Sequence, residues 1–341
     1  LLILCKCSYN CDMKRILTGI TTSGTPHIGN YLGAIKPSLE LAKTNDESFF
    51  FLADYHSIIK THDTQKIKSS VSDVALAWLS SGLDVEKSFF YRQSDIPEIT
   101  ELNWILSCIT SKGLMNRAHA YKAITADNKS DEDKGVSMGL FSYPVLMAAD
   151  ILIFNSTHVP VGQDQIQHLE MTRDIAIRFN HLFGKLFDLP EAIVQKKGSI
   201  VPGLDGRKMS KSYNNIIPLL SDEKTLKKSI AKIITNSLEP GEPKDPSNCS
   251  LFKLYECFSS EQEQLIFKDE YADGISWGDA KKKLFLLMNT KLSPIREKYF
   301  EFEKNKNLVN DLLDLGAKKV KPIATDMIAK VRDLVGISRI K

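Results

Sequence analysis

The stretch MKRILTGITTSGTPHIGN, residues 13–30, has the pattern of a strand that turns into a helix. Met13–Ile20 is an apolar run that predicts a short buried strand. The residues that follow are rich in Gly, Thr and Ser and predict a turn. Apolar residues then recur at helical spacing from Ile28 to about Leu41. The stretch therefore predicts the first strand and helix of an α/β fold.

Strands and helices continue to alternate along the chain. Further strands are predicted at Phe49–Ala53, Lys87–Arg92 and Val159–Val161. The helical segments around them are Gln65–Leu79, Gly135–Asn155 and Ile166–Phe183. Because this alternation is typical of βαβ units, we expect a doubly wound, Rossmann-like parallel sheet.

The pattern changes near Pro218, beyond which it is helical apart from a proline-rich loop at 239–248. We therefore expect a Rossmann-like domain with a helical insertion at 13–217 and a smaller all-α domain at 218–341. Residues 1–12 hold three of the six cysteines, with no familiar zinc spacing, and precede Met13. They are predicted to be a non-native or dispensable leader, and the three scattered cysteines that remain suit a cytoplasmic protein.

Composition excludes several classes of protein. The chain has 341 residues, a net charge of +3, 43% apolar and 26% charged residues, which is ordinary globular usage and not that of a disordered or fibrous chain. Its apolar runs are too short for a spanning helix, so no membrane partner is expected. From Lys281 to Lys341 there are 15 Lys and Arg against 7 Asp and Glu. This excess indicates either a polyanion partner such as RNA or solvated helix faces.

The first candidate site is the turn Gly24–Asn30, GTPHIGN. A turn between a strand and a helix presents backbone N–H groups and the positive end of the helix, where phosphate binds. His27 can donate to phosphate oxygens there, and Gly29 allows a flat base to approach the backbone. The sequence is neither a Walker loop nor a dinucleotide-binding fingerprint. The alternative is a surface histidine beside a glycine turn.

The second candidate site is the stretch KMSKS at Lys208–Ser212, which follows GLDGR. Two lysines three residues apart, Lys208 and Lys211, can neutralise a triphosphate as pyrophosphate leaves. The alternative is an ordinary surface loop, which the presence of the first motif upstream disfavours.

Together the two motifs resemble the HIGH and KMSKS signatures of class I aminoacyl-tRNA synthetases, and the chain is similar to the tryptophanyl-tRNA synthetase family from Met13 onward. The matching stretches are Lys14–Ala34, Gly139–Asn155, Val159–Phe179, Gly203–Asn215 and Pro240–Asp245. The chain departs at three places from the class-wide signature or from the residues that relatives often carry. Asn30 stands for the second histidine, Thr21-Thr22-Ser23 for Gln-Pro-Ser, and Gln163 for a frequent Glu.

Asp150 carries the prediction of substrate choice. It lies in an otherwise apolar stretch and shares a helix face with Tyr143 and Met147. A buried carboxylate needs a donor, and indole offers one donor and no acceptor. Phenylalanine would leave the carboxylate unsatisfied. The resemblance also implies that Asp150 binds the indole nitrogen, whereas the alternative is a carboxylate that pairs with an Arg or caps a helix.

The resemblance implies roles for further residues. The tryptophan site would add Gln165, which holds the ammonium, and the pocket residues Gly19, His56 and Val161. The ATP site would comprise Thr21, Thr22, Ser23, Gly29, Asn30, Gly162, Gln163, Asp164, Val201, Lys208, Met209, Ser210, Lys211 and Ser212. Catalysis would depend on His27, Asn30, Lys208 and Lys211, and Lys122 would reach the triphosphate unless it is simply an exposed helix lysine.

The implied activity is that of an L-tryptophan–tRNA ligase. Tryptophan would attack the α-phosphate of Mg²⁺-ATP, and tRNA(Trp) would then accept the activated amino acid. The resemblance further implies a homodimer, a C-terminal domain that reads the anticodon, and no tightly bound protein-ligated metal. The alternatives are a tyrosine-specific synthetase and an inactive homologue that senses tryptophan or binds RNA.

Overall fold

The computed structural model describes residues 14–22, 24–44, 47–126, 133–194 and 201–338. The leader 1–12 and Ser23, for which roles are predicted, lie outside the described residues. At the centre of the fold is a five-stranded parallel sheet formed by β1 (Arg15–Thr21), β2 (Glu47–Ala53), β3 (Phe89–Arg92), β4 (His158–Val161) and β5 (Glu191–Val194). The order β3-β2-β1-β4-β5 confirms the Rossmann-like prediction.

The strand order reverses between β1 and β4, and ligands bind in such sheets at this switch point. β1 pairs with β2 along its full length but with β4 only at Ile16 and His158. The carboxyl ends of β1 and β4 therefore diverge. The GTPHIGN turn follows β1 and Gly162–Gln165 follows β4, so both predicted binding segments lie at this opening.

The helices of the sheet region follow the predicted order. They are α1 (Ile28–Asn30), α2 (Lys36–Ala42), α3 (Asp54–Ile58), α4 (Thr64–Ser80), α5 (Glu98–Ile109), α6 (Lys112–Met115), α7 (His119–Thr125), α8 (Met138–Leu152) and α9 (Ile166–Phe183). A π-helical turn, Tyr31–Ile35, joins α1 to α2. α8 begins later than predicted because the Ser137 hydroxyl caps it by accepting the N–H of Leu140.

Both faces of the sheet are covered by apolar clusters. One cluster packs Phe49, Tyr91 and Phe154 with α5, α8 and α9, and the other packs Phe50 and Phe90 with α4 and the C-terminal helices. This explains why β2 reads as a continuous apolar run, since a parallel strand is buried on both sides. β5 was not predicted, because its four residues at the sheet edge are half-exposed and polar at one end.

The part beyond Pro218 is helical, as predicted: α10 (Glu223–Ala231), α11 (Ser250–Glu256), α12 (Glu261–Ala272), α13 (Trp277–Lys304) and α14 (Lys306–Val335). However, α14 returns to the sheet and packs against β3 and α5. A Cβ at Gly316 would lie 1.7 Å from the carbonyl oxygen of Phe90, so the helix contacts the strand backbone directly. The separate domain at 218–341 stays a prediction.

Candidate active site

His27 sits at the start of α1, where the turn after β1 becomes helical. Its backbone N–H donates to Asn30 Oδ1 at 3.0 Å, and the backbone N–H of Asn30 donates to the His27 carbonyl at 2.8 Å. The Asn30 side chain therefore closes the first turn of the helix. Asn30, which stands in place of the second histidine of the signature, therefore stabilises the start of α1.

The imidazole of His27 is buried and neutral at physiological pH. Burial, with a smaller contribution from the charge of Lys211, lowers the pKa of His27 to about 4. Its Nδ1 has no hydrogen-bond partner among the described residues. A Cβ at Gly29 would lie 3.0 Å from that nitrogen, so glycine is what lets the ring fold back over the helix start. The ring is thus available to a ligand as an uncharged group.

The KMSKS segment is a compact loop held by Asn215. Asn215 Oδ1 accepts the N–H of Ser210 at 2.8 Å, and its Nδ2 donates to Asp205 Oδ1 at 2.6 Å and to the Lys208 carbonyl at 3.2 Å. Buried Met209 anchors the loop, and its N–H donates to the Val201 carbonyl at 2.9 Å. Lys208, Lys211 and Ser212 are exposed, so the anchored loop presents them at the surface.

The two motifs meet in one cleft of about 370 Å³. It is lined by His27, Asn30, Lys60, Thr61, Lys66, Ser210, Lys211 and Ser212. Loss of solvent around the Lys211 ammonium lowers its pKa, the charge of Asp73 opposes this effect, and the charges of Lys60 and Lys66 lower the pKa further. The ammonium groups of Lys60, Lys66 and Lys211 therefore belong to residues that line the same space. An anion with several charges is what such a cleft can bind.

The sequence did not single out Lys60 and Lys66. Lys60 follows α3, and therefore lies near the carboxyl edge of β2, while Lys66 is in the first turn of α4. The position of Lys60 shortly after a predicted strand was the feature of the sequence that could have indicated it. It was weak because exposed lysines are common at such positions.

Asp150 on α8 is buried, with 1% of its surface exposed, as the sequence predicted. Its Oδ1 accepts from Gln93 Nε2 at 2.7 Å, and its Oδ2 lies 3.0 Å from His56 Nε2. Burial raises the pKa of Asp150 while these two partners oppose the rise. The partners are therefore an amide and an imidazole, and not the arginine that was weighed as an alternative.

Tyr143 and Gln165, both predicted to contact tryptophan, are joined through His168. Tyr143 Oη lies 2.7 Å from His168 Nε2, and His168 Nδ1 lies 2.9 Å from Gln165 Oε1. The amide oxygen can only accept, so a neutral His168 ring that donates to it from Nδ1 accepts the Tyr143 hydroxyl at Nε2. The buried His168 was missed, since nothing in the sequence fixes which side chains its two nitrogens face.

Four predicted residues have a clear packing role. A Cβ at Gly19 would lie 2.4 Å from the Phe51 ring, so the glycine makes room for that ring. The hydroxyl of buried Thr22 lies 2.6 Å from the Ser57 hydroxyl, which donates to the Thr22 carbonyl. Any contact of Thr22 with ATP would therefore come from its backbone. Val161 is buried in the apolar cluster, and Met147 packs against the same cluster.

The remaining predicted residues lie around the opening. Thr21 ends β1, and Gly162 and Gln163 follow β4 and are exposed. Asp164 follows in the same 3₁₀ turn. Half-buried Val201 lies beside the KMSKS loop, and Lys122 is exposed on α7.

No helix in the described ranges is long and apolar enough to cross a membrane. Within those same ranges, no three His, Cys, Asp or Glu side chains are grouped so as to hold a metal ion.

Known proteins share this sequence and architecture. Residues 10–293 match the family described as tRNA synthetases class I (W and Y). A tryptophan–tRNA ligase of Neisseria meningitidis is 54% identical over 96% of this chain and 99% of that protein. One of Pseudomonas aeruginosa is 52% identical over 96% of this chain and 75% of that protein. The crystal structure of a Campylobacter jejuni tryptophanyl-tRNA synthetase with ADP and tryptophan matches with a TM-score of 0.86 and 45% identity, over 94% of this chain and 99% of that one.

Proposed function

The chain belongs to the class I tRNA synthetases of the tryptophan and tyrosine group, and we propose that its cleft activates tryptophan with ATP. It is a tryptophan–tRNA ligase. The overall reaction forms tryptophanyl-adenylate and pyrophosphate and then esterifies the 3′ end of tRNA(Trp). The observation that carries the proposal is the meeting of His27 and Asn30 with Lys211 in one cationic cleft.

The first step needs alignment and charge stabilisation and no protein nucleophile. The tryptophan carboxylate is itself the nucleophile, and negative charge develops on the departing pyrophosphate. Lys211, Lys60 and Lys66 line the same cleft and supply positive charge there. Neutral His27 can donate one hydrogen bond to a phosphate oxygen without adding charge. Mg²⁺ enters with ATP as part of the substrate.

The proposed tryptophan pocket lies beside this cleft, between α3, α8 and the turn after β4. Asp150 would accept the indole N–H, with Tyr143 and Met147 on the same helix face. Gln165 would bind the substrate ammonium, and its amide is held by the hydrogen bond to His168. Buried Val161 and the His56 ring complete the pocket wall in this proposal.

The ATP contacts are proposed at the opening of the sheet. The ribose and adenine would lie near Gly162, Asp164 and Val201. The backbone of Thr21, Thr22 and Gly29 would face the nucleotide, and the KMSKS residues would hold the phosphates. Gln163 would contribute as an amide rather than as an acid, and Ser23 and Lys122 keep their predicted roles as proposals.

The protein is further proposed to act as a cytoplasmic homodimer, with the helices beyond Pro218 reading the anticodon. Trp104 on α5 is 70% exposed, and Ile177 on the neighbouring α9 is also exposed. Exposed apolar side chains on two helices in contact support this part of the proposal, because apolar patches mark interfaces. Size-exclusion chromatography with light scattering tests the dimer. A monomeric wild-type protein would contradict this part of the proposal.

The activity is tested by ATP–pyrophosphate exchange with tryptophan, with tyrosine and with no amino acid. Exchange with tryptophan only is expected. Exchange with tyrosine would favour the other branch of the family, and no exchange would favour an inactive homologue. Charging of tRNA(Trp) with labelled tryptophan then tests the second step.

A further inference from the structure

Gln93 lies at the carboxyl end of β3, and its side chain is fully buried. Its Nε2 donates to Asp150 Oδ1 at 2.7 Å, and its Oε1 accepts the backbone N–H of Tyr55 at 3.1 Å. A backbone N–H can only donate, so Tyr55 determines which end of the amide faces Asp150. The orientation of this amide is therefore set by the chain itself.

Two adjacent strand ends hold this arrangement. Asp54 Oδ1 accepts the backbone N–H groups of Tyr55 at 3.0 Å and of Ser94 at 3.1 Å, which ties the end of β2 to the end of β3. The segment after β2 also carries His56, which contacts the second oxygen of Asp150 at 3.0 Å. Each oxygen of the buried carboxylate is thus held by a side chain from a different strand end.

We propose that Gln93 is a positioning residue for substrate selection, which holds the Asp150 carboxylate turned to accept a ring N–H. The inference rests on the proposed tryptophan site. An ionised carboxylate offers about four acceptor positions, so Gln93 and His56 leave room for a further donor. A ring without a donor would leave that acceptor buried and unsatisfied.

The electrostatics around Asp150 make the proposal testable. The titratable groups that face it are His56 and Asp54 on α3 and Tyr91 on β3. Gln93→Glu removes the Nε2 donor while keeping the shape of the side chain, and it places a second carboxylate against Asp150. Two adjacent carboxylates share one proton, because they cannot both ionise easily. Tryptophan binding in this variant should therefore depend on pH more strongly than in the wild type.

The experiment compares Gln93→Glu, Gln93→Leu and the wild type by ATP–pyrophosphate exchange from pH 6 to pH 8.5. At pH 8 we expect Gln93→Glu to raise KM for tryptophan by about tenfold or more, since a hydrogen bond to a charged group is lost. Part of this loss should be recovered at pH 6, where the shared proton restores a donor. Gln93→Leu should lose affinity at every pH without recovery. KM for ATP should stay within about twofold, because the cleft is lined by other residues.

Gln262→Glu, at an exposed position of α12, is the control for an added carboxylate and should match the wild type. Wild-type KM for tryptophan with a flat pH dependence in Gln93→Glu would overturn the inference. An equal rise in KM for tryptophan and for ATP, together with a lower Tm, would overturn it as well, because a purely structural role predicts that result. If wild type itself shows no tryptophan-dependent exchange, the proposed function fails. If the wild type shows tryptophan-dependent exchange and the Gln93 variants behave like it, the function stands and this inference alone is wrong.

Discussion

The ammonium of Lys211 lies against the backbone of Gly24, where a Cβ would come within 3.3 Å of Nζ. Gly24 has a φ of +104°, which disfavours any other residue independently of space. The two signature motifs, far apart in the chain, are therefore in direct contact. The absence of a side chain at Gly24 thus leaves room for the Lys211 ammonium beside the turn after β1.

Lys211→Ala should lower kcat for adenylate formation by about 10²–10³ while KM for tryptophan changes little. The reason is that this charge acts mainly on the developing pyrophosphate, so its contribution appears in the transition state. Pyrophosphate exchange under saturating tryptophan is the measurement. Lys68→Ala, an exposed lysine on α4 outside the cleft lining, is the matched control. A normal turnover number for Lys211→Ala would show that the loop was misassigned.

Lys60→Ala should have a smaller effect than Lys211→Ala, because Lys60 is exposed and its charge is screened by salt. We expect KM for ATP and for pyrophosphate to rise about two- to fivefold relative to the wild type. This rise should be larger at low salt. Steady-state exchange at two ionic strengths checks this. An effect on KM for tryptophan alone would place Lys60 outside the phosphate cleft.

Asp150→Ala should weaken tryptophan binding and also reduce the preference for tryptophan over phenylalanine. The indole N–H loses a charge-assisted acceptor, worth about 1.5–3 kcal/mol. Phenylalanine no longer leaves a buried carboxylate unsatisfied, so selectivity should fall by more than tryptophan affinity alone. Exchange with each amino acid, together with thermal unfolding, measures both. A destabilised variant with an unchanged preference for tryptophan over phenylalanine would assign Asp150 a structural role.

The sequence predicted the features that repeat locally. The apolar runs of β1 and β2, the helix at Ile166–Phe183 and the GTPHIGN turn are each contained in one short segment. Their periodicity and turn residues therefore sufficed. The burial of Asp150 followed in the same way from its apolar neighbours.

The sequence could not predict which side chains meet across elements. Gln93, His168 and Lys60 became visible only through partners on other strands and helices. Such pairs depend on the strand order and on side-chain directions, which a single sequence does not specify. The return of α14 to β3 was missed for the same reason, because its helical pattern does not say which surface it covers.

Gly316→Ala should destabilise the fold, because the added methyl group would overlap the Phe90 carbonyl and push α14 away from β3. Overpacking of this kind typically costs about 1–3 kcal/mol. Gly113→Ala is the control, since a Cβ there has no neighbour within 4 Å and helical Ala is favoured over Gly. Thermal unfolding should give a lower Tm for Gly316→Ala only. An unchanged Tm would contradict the direct contact between α14 and β3.

His27 should make the protein lose stability as the pH falls below neutrality. Its pKa is about 4 in the folded protein and 6.5 as the unperturbed value, so between these the unfolded chain binds a proton that the folded chain does not. The contribution is fully present above pH 6.5 and is lost as the pH falls toward 4. Between pH 7.5 and pH 5 the loss amounts to about 2 kcal/mol.

The measurement compares the unfolding free energy of wild type and His27→Gln, which lacks the titrating group, in urea at pH 7.5, 6 and 5. Other groups titrate equally in both proteins, so their difference isolates His27. The advantage of wild type over His27→Gln should shrink by about 2 kcal/mol from pH 7.5 to pH 5. If the unfolding free energies of the two proteins changed with pH in parallel, His27 would be solvated or already paired in the folded protein. It would then not be the neutral donor that the proposed phosphate site requires.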